Sequence, residues 1–351
     1  MSNKIKIFVV NLFCIFLLFS ILEMVSRSTS QVYQGNLFSW VNFFKEFRNA
    51  YPSEFNKELG WIPKKGLWFS NIFWNIDVTI LEGGFRSNFP GRNYEIRSDR
   101  DQIVAVGDSF TFGGEVSDDQ TWPAFLEKII GMDVVNAGVS VYGIDQIYLR
   151  SKKILKEFKR PPKLMIVSFI NDNIRRSELR VIYGKNKPFF EKDKSSEEFT
   201  LRDEHVFPME GKQSRLQSIL GFSYLFFRVL PRIQPKLFKS EEDIVVHNYG
   251  DKVACFLFKD LKKIAQEKNV KLLLLVQGNP AVDEEGDKMS VIIRCAVDNN
   301  IKILNLLPKL REIYKDNPAL YKRMFVSHML PIGNRFVAEE IRWFIQEQQL
   351  L

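Results

Sequence analysis

The chain has 351 residues, 45% of them hydrophobic and 26% charged, with a formal charge of +8. These proportions fit a globular protein with a full core and argue against wholesale disorder. Lysine and arginine are dispersed, with no basic stripe interleaved with aromatics, so nucleic acid is a poor partner, while a surface near an anionic bilayer and a plain solvated surface fit equally.

Lys4 and Lys6 precede an uncharged run at residues 7–22 rich in Ile, Val, Leu and Phe. Extended to residues 5–25, the segment is long enough to span a bilayer with Lys6 and Glu23 at the interfaces. Lysines on the leading side favour that end staying in the cytoplasm, which leaves the rest of the chain outside, on the periplasmic side. A cleaved signal peptide ending near Ser28-Thr29-Ser30 is the alternative, with its small residues remote from the apolar core. Residues 1–30 are therefore read as an N-terminal transmembrane anchor or signal peptide.

Residues 31–100 are aromatic-rich, with Trp40, Trp61, Trp68 and Trp74, and read as an extension packing on the main domain. From residue 101 strands and helices alternate. Strand-like runs fall at 103–106, 134–136, 164–169, 270–276 and 301–304, and helix-like stretches at 122–130, 144–158, 251–268 and 287–299. The continuously apolar runs, Leu272-Leu273-Leu274-Leu275-Val276 above all, predict strands covered on both faces. The fold class is α/β, a three-layer αβα domain over 101–351 with a mostly parallel sheet, closed by an amphipathic helix at 333–350. Residues 175–250 break the rhythm and read as an insertion at the sheet's C-terminal edge, with helical apolar spacing at 216–229. It is either a lid or recognition element, or a decoration that simply packs.

Three cysteines, Cys14, Cys255 and Cys295, form no CxxC and leave at most one pair outside the apolar segment. His205, His247 and His328 have no metal-ligand spacing, so neither a metal nor another cofactor is expected.

The chemistry concentrates in a few short segments. Gly107-Asp108-Ser109 ends the run Ile103-Val104-Ala105-Val106, which puts one hydroxyl at the mouth of a sheet. Asn171-Asp172 follows the run ending at Ile170, and His328 opens His328-Met329-Leu330-Pro331-Ile332-Gly333-Asn334. Serine, asparagine and histidine in that order read as nucleophile, oxyanion donor and base.

Over residues 100–350 the chain resembles the SGNH/GDSL hydrolase superfamily. It is similar to membrane-anchored bacterial members in which a Gly-Phe-Arg segment, here Gly84-Phe85-Arg86, precedes the nucleophile block. Gly107-Asp108-Ser109-Phe110-Thr111-Phe112-Gly113 matches the first family block, and Asn136-Ala137-Gly138-Val139-Ser140-Val141-Tyr142-Gly143 resembles the second. Asn171-Asp172 matches the third, and His328 with Pro331 and Gly333 the last. The resemblance implies a serine esterase acting on a carbohydrate or lipid ester of the cell envelope through an acyl-Ser109 intermediate, with His328 as base. It also implies oxyanion donors at Asn171 and in the second block, at Val141 or Gly143. Asp108 and Asp172 read as supporting, loop-bracing carboxylates.

The sequence departs from the family at three points. Val326 and Phe325 stand where an aspartate usually orients the histidine. That leaves a Ser-His dyad, a carboxylate borrowed from elsewhere, or a lost activity. Val141 and Phe169 replace the second- and third-block glycines. Two other functions stay open, an O-acyltransferase using the same serine and a degenerate, non-catalytic envelope protein that binds a glycan or partner.

Overall fold

The computed structural model describes residues 3–28, 53–70, 76–90, 99–182, 185–193, 198–202, 206, 223–226, 243–281 and 286–351. Most of the helix expected at 216–229, the expected cleavage site and the side chains of Trp40, Trp68, Trp74 and His205 lie outside the described residues. The chain divides into two compact units, residues 1–50 with 210–242, and residues 51–209 with 243–351.

In the first unit, helix α1 (Asn3–Ser28) carries the apolar N-terminal run. Its Lys4–Ser28 portion is long and apolar enough to cross a membrane, with a mean hydropathy of 2.6. The Glu23 carboxylate near its end accepts hydrogen bonds from the Ser223 hydroxyl and the Tyr224 and Leu225 amides, and pairs with Arg27. Residues 223–226 are thereby fastened to the end of α1 by satisfying the free amides of a helical turn.

The second unit is built on a five-stranded parallel sheet. Its strands are β5 (Gln102–Val106), β6 (Asp133–Asn136), β7 (Leu164–Phe169), β13 (Lys271–Val276) and β14 (Lys302–Asn305), in the order β14-β13-β7-β5-β6. All five expected strands are present, within a residue of their expected ends. Side chains along each strand alternate between two cores. Val104, Val106, Leu272, Leu274 and Val276 face one, and Ile103, Ala105, Leu273 and Leu275 the other. Burial on both faces is why these strands read as continuous apolar runs.

One face is covered by helices α4 (Ile144–Glu157), α6 (Gly250–Glu267) and α7 (Asp287–Asp298), through residues such as Ile147, Leu257 and Ile292. The other is covered by α3 (Trp122–Ile130), α8 (Leu307–Asp316), α9 (Pro318–Met324) and α10 (Pro331–Glu347). Helices α8 and α9 were not anticipated, because their apolar positions are few and each has a proline within its first two residues. Cys255 of α6 and Cys295 of α7 form a disulfide with a Cα–Cα distance of 5.9 Å.

Short antiparallel ribbons border the sheet. Strands β1 (Ser53–Asn56) and β2 (Gly60–Pro63) pair, as do β3 (Gly66–Ser70) and β4 (Ile76–Ile80). Helix α5 (Asn171–Arg176) leads into the described part of the insertion, strands β8 (Leu179–Ile182), β9 (Lys185–Asn186), β10 (Phe189–Lys192), β11 (Phe199–Arg202) and β12 (Ile244–Val245). Lys187, between β9 and β10, is fully buried against Asp145 of α4 and donates to the carbonyls of Leu179 and Pro188. This interior ion pair fastens the insertion to the helix that follows the second motif block.

Candidate active site

The nucleophile turn follows β5 directly. A side chain at Gly107 has no room, since a Cβ there stands 2.2 Å from Thr111 Oγ1 and 2.9 Å from the Ser168 carbonyl oxygen. Asp108 caps the single-turn helix α2 (Ser109–Phe112), its Oδ1 accepting from the Phe110 amide at 3.0 Å. Its other oxygen accepts from Asn173 Nδ2 and Arg176 Nη1, both at 3.0 Å. The charge of this buried carboxylate is thus paired. Asp172 also pairs with cations, Arg175 and Arg176 on its own helix.

His328 arrives from the opposite side, in the loop between α9 and α10. Phe325 and Met329 form a β-bridge, and the Val326 amide donates to the His328 carbonyl, so the backbone turns tightly around the histidine. Asn334 ties this loop to α3, with Oδ1 accepting from the Trp122 amide and Nδ2 donating to the Met329 carbonyl. Asn279 Nδ2 donates to the carbonyls of Val326 and Ser327.

The structure brings Ser109 and His328 together, with His328 Nε2 2.9 Å from Ser109 Oγ. The Phe110 ring lies beside the imidazole, 5.1 Å between centroids. Ser109 is nearly buried, whereas the His328 side chain keeps 31% of its surface exposed.

Of the three alternatives left by the missing aspartate, the geometry matches the carboxylate borrowed from elsewhere, and it is Glu115. Its Oε1 lies 3.0 Å from His328 Nδ1, and its Oε2 accepts the His328 amide at 3.1 Å. The Ser327 hydroxyl donates to Oε1 as well. Burial alone pushes the Glu115 carboxyl up, but hydrogen bonds from His328 and Ser327, together with attraction to His328, outweigh it and leave the group below its usual range. A carboxylate held ionised against Nδ1 fixes the imidazole so that Nε2 faces the serine.

Sequence reasoning missed Glu115 because it searched for an acid beside the histidine. This acid lies just past the first block, six residues after Ser109. The available signal was a lone carboxylate among small and apolar residues, Gly113-Gly114-Glu115-Val116.

The expected oxyanion donors divide. Val141 has φ 71°, a left-handed conformation that is costly for a β-branched residue and tends to persist at functional sites. Asn171 opens α5 at the end of β7, the strand next to β5, and so lies on the same sheet edge as Ser109. Gly143 is corrected: its amide donates to Gln146 Oε1 at 3.2 Å, closing the cap of α4, so it is not available to an oxyanion. Glycine stands there because a Cβ would lie 2.6 Å from Asp145 Oδ1 and 2.8 Å from the Ser177 nitrogen. Phe169, at the third-block glycine position, is buried against Phe258 at 5.2 Å between centroids and fills core. Among the described residues no group of three or more His, Cys, Asp or Glu is arranged to hold a metal.

The assembled parts define an α/β protein with a serine, a histidine and a glutamate in hydrogen-bonded sequence at the C-terminal edge of a parallel sheet. The chain is similar to solved members of the GDSL group. One is a protein of the G-D-S-L family from Desulfitobacterium hafniense, 14% identical, covering 69% of this chain and 98% of that one with a TM-score of 0.39. Another is a GDSL-like lipase from Bacteroides thetaiotaomicron, 14% identical, covering 73% and 92% with a TM-score of 0.38. A third is a psychrotrophic esterase from Pseudoalteromonas, 12% identical, covering 71% and 98% with a TM-score of 0.37. No family model matches the chain, and no curated protein matches it.

Proposed function

We propose that the protein is a serine ester hydrolase of the SGNH/GDSL type. The observation that carries this reading is the continuous contact from Ser109 Oγ through the His328 ring to Glu115, at 2.9 Å and 3.0 Å. His328 Nε2 takes the Ser109 proton as Oγ attacks the ester carbonyl carbon. Glu115 holds the ring and balances the imidazolium charge. The oxyanion that forms meets the Ser109 and Val141 amides and the Asn171 side chain, where one donor is worth about a hundred- to a thousand-fold in rate. Collapse expels the alcohol, which takes the proton from His328 and leaves acyl-Ser109. Water, activated by the same histidine, then releases the acid and regenerates the hydroxyl. A sugar hydroxyl in place of that water makes the same chemistry an acyl transfer.

The first unit and the disulfide support a location in the cell envelope. The apolar helix Lys4–Ser28, with Lys4 and Lys6 at its leading end, supports an anchored protein whose bulk faces away from the cytoplasm. The Cys255–Cys295 disulfide favours an oxidising compartment such as the periplasm. A substrate among carbohydrate or lipid esters of the envelope agrees with that location.

The test is labelling of the full chain in detergent with a fluorophosphonate, followed by peptide mapping. The expected outcome is one adduct on Ser109, absent from Ser109→Ala. A folded wild type that takes no label would contradict an activated serine and return the protein to the class of non-catalytic binding proteins.

A further inference from the structure

Arg86, from the Gly-Phe-Arg segment, plays no part in the chemistry above, yet it is one of the largest fully buried side chains of the protein. Its backbone is fixed first. The Arg86 amide donates to the Asn136 carbonyl at 2.9 Å, extending the sheet by one bridge beyond β6. From there the guanidinium enters the turn that follows the nucleophile helix. Nη1 donates to the carbonyls of Phe112 and Gly113, and Nη2 to the carbonyl of Val116 at 2.6 Å. Nε donates to Asp118 Oδ1 at 3.0 Å, and both side chains are fully buried. Both Asp118 oxygens also accept from the Thr79 amide, which anchors the acid independently.

The contacted carbonyls lie on either side of Glu115. The two residues immediately before it, Gly113 and Gly114, leave that stretch of backbone with unusual conformational freedom, and Gly113 has φ 85°. A buried ion pair is a poor device for stability alone, because well-packed apolar side chains of similar volume do as well. A planar cation that gathers several carbonyls in one plane is instead suited to fixing a backbone path, which the point charge of a lysine does not do.

We infer that Arg86, braced by Asp118, is a positioning residue that holds the 112–118 turn in the one path that brings Glu115 to His328 Nδ1. This inference rests on the proposed function, since it assigns a supporting role in the same triad. Displacing a reacting group by about 1 Å costs on the order of a hundredfold in rate. Arg86→Lys keeps the charge and loses most of the carbonyl contacts.

The experiment uses the full chain in detergent with two readouts. The first is the rate of fluorophosphonate labelling. The second is the side-chain proton–nitrogen spectrum of selectively ¹⁵N-labelled histidine, in which the His328 Nδ1–H signal is assigned with His328→Ala. The expected result for Arg86→Lys is labelling slowed about a hundredfold, with the His328 signal displaced in the same sense as in Glu115→Gln, while unfolding remains cooperative. Slowed labelling with the wild-type His328 signal would mean a merely structural role and overturn the inference, as would an unchanged rate. If Arg86→Lys fails to fold, Asp118→Asn carries the same two readouts, with the same displacement expected and a smaller loss of rate. A wild type that takes no label counts against the esterase reading, while the His328 signal still reports whether Arg86 sets the Glu115 contact.

Discussion

The two sides of the site are held by different means. The nucleophile side, residues 107–118, sits on buried charge. Asp108 is paired with Arg176 and Asp118 with Arg86, and Gly107 and Gly138 are so close to neighbouring backbone that no side chain fits. The histidine side, residues 325–330, is held by neutral hydrogen bonds from Asn279 and Asn334 and keeps exposed side chains at Val326 and His328. Ion pairs and steric closure fix the position of Ser109, which under the proposed chemistry must attack from a set direction. Neutral, partly solvated contacts allow the base the small shifts that accompany proton transfer. Glu115 links the halves, since its carboxylate belongs to the rigid side and its three donors come from Ser327 and His328.

Substitutions on the two sides should therefore fail in different ways. Gly107→Ala forces a methyl group against Thr111 and the Ser168 carbonyl. Overpacking of this kind costs about 1–3 kcal/mol or more, and the backbone carbonyl leaves little room to relax. The expected outcome is a large fall in the denaturant midpoint, with activity lost along with the fold. A near-wild-type midpoint would mean that the nucleophile side is softer than its contacts imply. Asn279→Ala should do less to the fold and more to the rate. It removes two donors, each worth about 1 kcal/mol, from the carbonyls that frame His328, and an acceptor of the Tyr321 hydroxyl and the Ala281 amide, all outside the sheet. Ester turnover should drop about tenfold with a small change in midpoint. The reverse pattern would place Asn279 in the core rather than in support of the base.

Much of this architecture was legible in the sequence because burial on both faces leaves continuous apolar runs. Strands β5, β7 and β13 needed only the Ile103–Val106, 164–169 and 270–276 patterns to be read. Ser109 was legible because it opens the turn that follows β5, and His328 because it opens the short segment leading into α10. The acid was not, because hydrogen bonding to Nδ1 is a property of space and Glu115 lies 213 residues from the histidine. Asn173 was overlooked for a related reason. It stands two residues beyond the motif position, and only its contacts with Asp108 and the Tyr142 carbonyl mark it as the residue joining the first, second and third blocks. Gly143 misled because a glycine in a motif suggests an open amide, whereas here it marks a helix cap with no space for a side chain. The positive φ of Val141 has no sequence signature at all, since valine is among the residues least suited to it.

The central claim is that Glu115 completes the triad, and ester turnover by Glu115→Gln tests it most directly. The substitution keeps the size of the side chain and removes its charge. With a p-nitrophenyl ester as substrate, kcat should fall by about 10⁴ while unfolding stays cooperative, as when the equivalent carboxylate of a serine protease is neutralised. A folded Glu115→Gln protein that turns over the ester at the wild-type rate would contradict the account and leave Ser109 and His328 working as a dyad.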